Sequence, residues 1–273
     1  MARPALNKDT RMCISLAGRP SNIGTRFHNY LYEQIGLDFI YKACTTTDIA
    51  AAIGGVRALG IRGCSVSMPF KQDVLALVDH VEDSARAIHA VNTIVNDDGV
   101  LTASNTDYTA VQRLIADNGL DPNGTVLIRG SGGMASAVAT AFRDSGFGSG
   151  IIIARNPDTG TELADRLGYQ WRAEVGPARA QVIVNVTPIG MAGDPHEHEP
   201  AYPDDVIAAA ETVFDVVAVP AETPLIAAAR QAGKRVITGA EVIALQAAEQ
   251  FERYTGVRPT PEQVAEASAF SRG

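Results

Sequence analysis

The chain has 273 residues, of which 46% are hydrophobic and only 20% charged, and it carries a formal net charge of −8. At about 100–200 residues per domain, that length and composition predict one or two compact domains with a real core and exclude a disordered chain. The acidic balance argues against a nucleic-acid or anionic-membrane partner, since either needs clustered Lys and Arg.

The cysteines are Cys13, Cys44 and Cys64, an odd number with no CxxC pair. That pattern disfavours a disulfide framework or a zinc site and fits a reducing cytosol. Cys13 and Cys64 lie in apolar runs and read as small buried hydrophobes. No stretch reaches the roughly 18 apolar residues of a membrane span, and residues 1–11 show no secretory core. A soluble, cytoplasmic protein is expected, with a small molecule as its partner.

In chain order, short β-rich runs alternate with helical ones, the signature of an α/β fold. Met12–Ala17 reads as a strand, residues 27–37 as a helix and 38–42 as a strand. A helix over 48–59, a strand over 63–67 and a helix over 73–87 follow. Near residue 120 a turn cluster, Leu120-Asp121-Pro122-Asn123-Gly124, marks a change of texture. Beyond it a strand runs into Gly130-Ser131-Gly132-Gly133-Met134-Ala135 and then into a helix over 135–145. A strand over 150–154, a helix over 159–167 and strands over 181–186 and 212–217 predict a doubly wound parallel sheet of the dinucleotide-binding kind. The final helix is expected over 241–254, returning to the first lobe. The predicted lobes are 1–105 with 240–273, a substrate domain, and 106–239, a nucleotide domain. The cleft between them is the expected place for chemistry.

The glycine segment fits GxGxxG/A in its confirming context, after a strand and opening a helix. Gly130 suits the tight turn, Gly132 the close approach to pyrophosphate and Ala135 the packing of helix on strand, with the helix N-terminus favouring negative charge. The next strand ends in Ala154-Arg155-Asn156, with no acid where an NAD ribose would be bound. Arg155 suits a 2′-phosphate, which places NADP ahead of NAD, although Asp158 stands close by.

Four further segments carry chemistry: Val66-Ser67-Met68-Pro69-Phe70-Lys71, then Ala90-Val91-Asn92-Thr93, then Ser104-Asn105-Thr106-Asp107, and Asn185 to Met191. A fifth runs from Thr238-Gly239 to Gln246. Each has a plainer reading alone: a solvated lysine, an aspartate capping a helix, an amide serving a turn. In this order and spacing, from about residue 13 to 250, they resemble the shikimate dehydrogenases, whose segments read V-T-x-P-x-K, A-V-N-T, N-T-D, N-x-T-x-x-G-M and G-x-x-x-x-x-x-Q.

The resemblance implies an NADP-linked oxidoreductase with Lys71 and Asp107 as the catalytic pair; shikimate-pathway biosynthesis of aromatic amino acids, quinate breakdown and secondary metabolism all stay open as its cellular role. A positioned acid or base contributes about 10²–10⁴-fold. Which of the two holds the proton stays open. It further implies that Ser67, Asn92 and Gln246 bind substrate. Gly130 to Ala135, Arg155, Asn156, Thr187 and Gly239 would contact the cofactor.

Two departures point to the shikimate dehydrogenase-like branch. The family's Ser-x-Ser segment, which grips the substrate carboxylate, is replaced here by Asn22 and Gly24. Ala218 stands where the family has a tyrosine. Asn22, Thr25 and Arg26 offer compensating donors. A related cyclic hydroxy-carboxylate is therefore expected, with weak activity on shikimate. The alternative is a sensing protein on the same scaffold that binds metabolite and nucleotide without turnover. No metal is expected: His196-Glu197-His198-Glu199 sits among prolines with no third ligand group. A monomer or homodimer is expected.

Overall fold

The structure, a computed structural model, describes residues 3–272. The chain divides into two compact units, residues up to Thr106 together with those from Ala244 onward, and Asp107–Ile243.

The first unit is built on a mixed six-stranded sheet. Its strands are β1 (Arg11–Ala17), β2 (Phe39–Thr45), β3 (Gly63–Val66), β4 (His80–Val81), β5 (Thr93–Asp97) and β6 (Val100–Ser104), in the order β2-β1-β3-β5-β6-β4. β1 runs parallel to β2 and β3, while β5 is antiparallel to both β3 and β6. Helix α1 (Ile23–Ile35) buries Phe27, His28, Leu31 and Tyr32, one face at helical spacing. It ends at Gly36 in the left-handed conformation (φ 79°). Asn29 ties it to β2, donating to the carbonyl and accepting from the N–H of Tyr41. Helix α2 (Ile49–Ala58) starts where the Asp48 carboxylate accepts from the Ala51 N–H.

The helix expected over 73–87 does not form. A single 3-10 turn over Asp73–Ala76 gives way to β4, and α3 is confined to Asp83–Ile88. Val74, Leu77, Val78 and Val81 do pack into one core, which is why their spacing suggested a helix. Pairing with β6 wins instead. The Asp79 N–H donates to the Leu101 carbonyl, and its carboxylate accepts from the Leu101 N–H (2.7 Å) and from Arg57. β5 and β6 form a hairpin that the sequence reading did not identify, turning on Asp98 and Gly99 with φ of 52° and 92°.

Helix α4 (Thr106–Asp117) leads into the second unit, where β7 (Thr125–Arg129), α5 (Gly133–Asp144), β8 (Ser149–Ile153), α6 (Pro157–Leu167) and β9 (Gln170–Arg172) follow in turn. The chain then crosses to β10 (Val182–Asn185), α7 (Asp204–Ala209), β11 (Thr212–Asp215), α8 (Pro224–Gln231) and β12 (Arg235–Thr238). The sheet is parallel throughout, in the order β12-β11-β10-β7-β8-β9, the doubly wound arrangement expected from the sequence. Both α5 and α6 begin two residues earlier than read, so Gly133 and Met134 lie in the first turn of α5.

The helix expected at 241–254 runs as α9 (Gly239–Thr255), and it is not the last. A further helix, α10 (Pro261–Arg272), follows it and buries Ala267, Ser268 and Ser271. α9 and α10 supply Ala247, Phe251, Tyr254 and Ala267 to a core shared with Phe27, Leu31, Tyr32 and Tyr41. None of the three cysteines is in a disulfide, and burial pushes the Cys13 thiol up to about 12. No helix among the described residues is long and apolar enough to cross a membrane.

Candidate active site

In the first unit Ser67, Lys71 and Asn92 lie in the segments that leave β3 and enter β5. Ser67 follows β3 directly, its N–H donating to Leu16 of β1 (2.9 Å). The chain then passes a cis Met68–Pro69 bond to Lys71. The Lys71 carbonyl accepts from the Val91 N–H (2.7 Å), and the Asn92 carbonyl accepts from the Val66 N–H (2.8 Å). Backbone bonds therefore fix Lys71 and Asn92 to the same strand end.

Asn92 is buried (3% exposed) and its amide is held in one orientation. Oδ1 accepts from the Thr93 hydroxyl and from the Thr106 N–H, both at 2.8 Å. The Thr106 hydroxyl lies 3.2 Å from the same oxygen and 3.4 Å from Oε1 of Gln246. Nδ2 is left buried without a hydrogen-bond partner. One turn beyond Gln246, Gln250 donates to the Thr93 hydroxyl (3.0 Å) and the Asn92 carbonyl (3.3 Å). Sequence reading missed Thr93, Thr106 and Gln250 as supports of Asn92. The four-residue step from Gln246 to Gln250 on one helix face was the available signal.

Asn22 and Gly24 lie at the start of α1. Asn22 is exposed and its side chain caps nothing. Gly24 faces Tyr41, whose ring a Cβ would meet at 3.5 Å, and the Tyr41 hydroxyl pairs with that of Ser65 (2.7 Å). Thr25 Oγ1 accepts from the Ala43 N–H (3.2 Å), which leaves its own proton to donate, and Arg26 is exposed. Asp107 stands in the first turn of α4 and, like Lys71, is half-buried.

In the second unit the glycine loop has the geometry a dinucleotide requires. Gly130 has φ 134°, and a Cβ there would sit 2.9 Å from the Val186 carbonyl oxygen, so no other residue fits. At Gly132 and Gly133 a Cβ would meet nothing within 4 Å, which leaves the approach open. No side chain caps the start of α5, so its first N–H groups face outward. Ser131 joins the loop to α6 through the Thr159 hydroxyl (2.8 Å). Arg155 is exposed just beyond β8, and Asn156 Oδ1 caps α6 by accepting from the Asp158 N–H (2.9 Å). Thr187 is pinned to Asn185, and Gly239 abuts the Val216 and Val217 carbonyls, where a Cβ would come within 2.4 Å. The backbone from Gly130 to Gly133 and the start of α5 thus leave room for a bound anion, while Ala135 is wholly buried and packs the helix on its strand. His196 and His198 each pair with a neighbouring glutamate in an exposed loop. Among the described residues no group of three or more His, Cys, Asp or Glu could hold a metal ion.

A doubly wound sheet with a glycine loop opening its first helix, in one chain with a second α/β unit, is an architecture of dinucleotide-binding proteins. Comparison with known proteins is more specific. Residues 22–94 match the shikimate dehydrogenase substrate binding domain. Over 267 residues, 98% of each chain, the sequence is 55% identical to a shikimate dehydrogenase-like protein of Haemophilus influenzae. It is 36% identical to the shikimate dehydrogenase (NADP(+)) of Moorella thermoacetica, covering 89% of this chain and 88% of that one. The solved structure of a shikimate 5-dehydrogenase-like protein superposes with a TM-score of 0.97 at 55% identity, covering 98% of this chain and 100% of that one. Shikimate 5-dehydrogenase from Thermus thermophilus, solved with NADP(H) and shikimate, gives 0.85 at 28% identity over 96% and 99% of the two chains. The chain belongs to the shikimate dehydrogenase family, whose NADP-dependent members are oxidoreductases.

Proposed function

We propose that this protein is an NADP-dependent dehydrogenase acting on the CH–OH group of a cyclic hydroxy-carboxylate, and that shikimate itself is a poor substrate. The observation that carries the reading is the buried, unpartnered Nδ2 of Asn92. An orphaned buried donor costs about 1–3 kcal/mol, and a ligand oxygen accepting from it removes that cost. Its oxygen is already occupied by Thr93 and Thr106, so the amide can serve a ligand only as a donor. A ring hydroxyl or ketone oxygen meets that requirement.

In this reading the first unit binds substrate and the second binds cofactor. The glycine loop and the start of α5 receive the pyrophosphate, and Arg155 receives the 2′-phosphate, with Asn156, Thr187 and Gly239 as further contacts. Bound there, the nicotinamide supplies the hydride acceptor. Asn92, Gln246 and Ser67 hold the ring oxygens. Lys71 and Asp107 take the hydroxyl proton as the carbon loses its hydride, and they return it in the reverse direction.

Asn22 and Gly24 weaken the grip on a small carboxylate. Two hydrogen bonds to a charged group are worth about 3–6 kcal/mol, or on the order of 10²–10⁴ in kcat/KM. Arg26 and Thr25 suit a carboxylate placed differently or carried on a larger ring. The test is turnover of shikimate, quinate and related hydroxy-carboxylates with NADP and with NAD, with Lys71→Ala as control. We expect Lys71-dependent NADPH formation, with shikimate about 10²–10⁴ below a biosynthetic enzyme assayed alongside. Shikimate turnover at the biosynthetic rate would remove the altered-substrate reading. Binding without turnover of any substrate would make the protein a sensor.

A further inference from the structure

Three parallel strands of the second unit end in polar residues that lie in register, Asn185 of β10 beside Asp215 of β11, and Asp215 beside Thr238 of β12. Asp215 is wholly buried. The partners of its carboxylate are neutral donors. Oδ1 accepts from Asn185 Nδ2 and from the Val217 N–H, each at 3.0 Å, and Oδ2 accepts from the Thr223 hydroxyl at 2.7 Å. Burial pushes the Asp215 carboxyl above its ordinary range, and these three bonds oppose the shift.

Each partner carries the connection outward. Asn185 Nδ2 also donates to the Ile189 carbonyl (3.1 Å), while its Oδ1 accepts from the N–H and hydroxyl of Thr187 (3.0 and 2.6 Å). Thr223 Oγ1 accepts from the Ile226 N–H (3.2 Å), which caps α8. The two loops also meet directly, through the Ala192 N–H and the Val219 carbonyl (3.0 Å). A Cβ on Gly190 would lie 3.4 Å from that of Thr223. One buried carboxylate thus stands where the loop after β10, the loop after β11 and the start of α8 converge. Three donors meeting at one side chain call for a group with two accepting oxygens, which an amide does not supply.

A doubly wound sheet consists of two mononucleotide-binding halves. The half made of β7 to β9 carries the glycine loop and Arg155, which suit the adenosine and phosphates. The half made of β10 to β12 is left for the other nucleotide. Its loops present Met191 and Val219, 41% and 50% exposed, as apolar surface for a flat ring.

We propose that Asp215 is a positioning residue: through Asn185 and Thr223 it locks the segments 187–191 and 216–223 into one ledge that holds the nicotinamide half of the cofactor, separately from the glycine loop. This rests on the NADP reading above.

The test measures binding of NADPH and of 2′,5′-ADP, which lacks the nicotinamide half, to the full-length wild type, Asp215→Asn, Thr223→Val and Thr223→Ser, with a melting temperature for each. We expect Thr223→Val and Asp215→Asn to weaken NADPH about tenfold or more, the worth of a hydrogen bond to a buried charge. Binding of 2′,5′-ADP should stay within about twofold, since its contacts lie in the other half of the sheet. Thr223→Ser, which keeps the hydroxyl, should bind NADPH as the wild type does. If Asp215→Asn does not fold, Thr223→Val carries the test. Equal weakening of both ligands would mean a general structural role and overturn the proposal, as would unchanged NADPH binding in Thr223→Val. A wild type that binds neither ligand would instead overturn the cofactor reading itself.

Discussion

His28 shows how a titratable residue can be settled by packing. It is wholly buried, stacked on Tyr41 (4.3 Å between ring centroids) and close to Phe251, and neither ring nitrogen makes a hydrogen bond. Burial lowers its pKa from 6.5 to about 3, which the neighbouring Gln250 amide only partly offsets. Between those values the unfolded chain takes a proton that the folded chain refuses. Its contribution to stability is therefore complete above about pH 6.5 and falls as the pH drops towards 3. At pH 5 the loss relative to pH 7.5 comes to about 2 kcal/mol. His28→Leu should remove that part of the acid slope. Urea unfolding of both proteins at pH 5 and 7.5 measures it, and equal slopes would mean that His28 is not held neutral. His28 shares the buried face of α1 with Phe27, Leu31 and Tyr32, where packing is a histidine's commoner role. Lys71, Asp107 and Asn92 were visible through their neighbours in the chain. The orientation of the Asn92 amide was not, because Thr93, Thr106 and Gln250 fix it by contacts that cross from strand to two different helices.

At the scale of elements, strong local signals were legible and weak ones were overridden. The strand–glycine–helix passage at β7 and α5 was read because apolar run, turn and helix agree. Residues 73–87 misled, since their apolar spacing serves a 3-10 turn, a strand and a short helix packed on one core. α10 was missed although its start is marked. The Thr260 hydroxyl accepts from the Gln263 N–H (3.3 Å), and Gln263 Oε1 accepts from the Thr260 N–H (2.9 Å). That is a reciprocal capping box with Pro261 at the first helical position. The Asp98-Gly99 hairpin was marked equally plainly. Glycines show how elements constrain one another. A Cβ on Gly63 of β3 would fall 2.3 Å from the Tyr254 ring of α9, whereas one on Gly54 of α2 would meet nothing within 4 Å. Gly63→Ala should therefore cost about 1–3 kcal/mol by overpacking. Gly54→Ala should gain about 0.5–1 kcal/mol by favouring the helix. Chemical denaturation of the two variants tests the sign of each.

At the scale of the whole molecule, the two units differ in how the chain supplies them. All six strands of the second sheet lie within one continuous segment, 107–243, so its strand ladder and the core cluster around Leu127, Ile183 and Val213 are supplied by that segment. The first unit is assembled from both ends. One of its cores joins Cys13, Phe27, Leu31, Tyr32, Phe39 and Tyr41 to Ala247, Phe251, Tyr254 and Ala267. Large side chains contribute about 1.5–3 kcal/mol each when fully buried. Losing Phe251 and Tyr254, and uncovering the aromatic residues beneath them, removes an amount comparable with the roughly 5–15 kcal/mol that holds a typical domain together. Expressed alone, residues 107–243 should fold cooperatively, whereas residues 1–106 should not unless 244–273 are supplied, fused through a short linker or added as a peptide. Circular dichroism and thermal melting of the three species decide this. A cooperative melt of residues 1–106 alone would mean that β1 to β6 and α1 to α3 hold the mixed sheet by themselves, and that the returning helices only cover it.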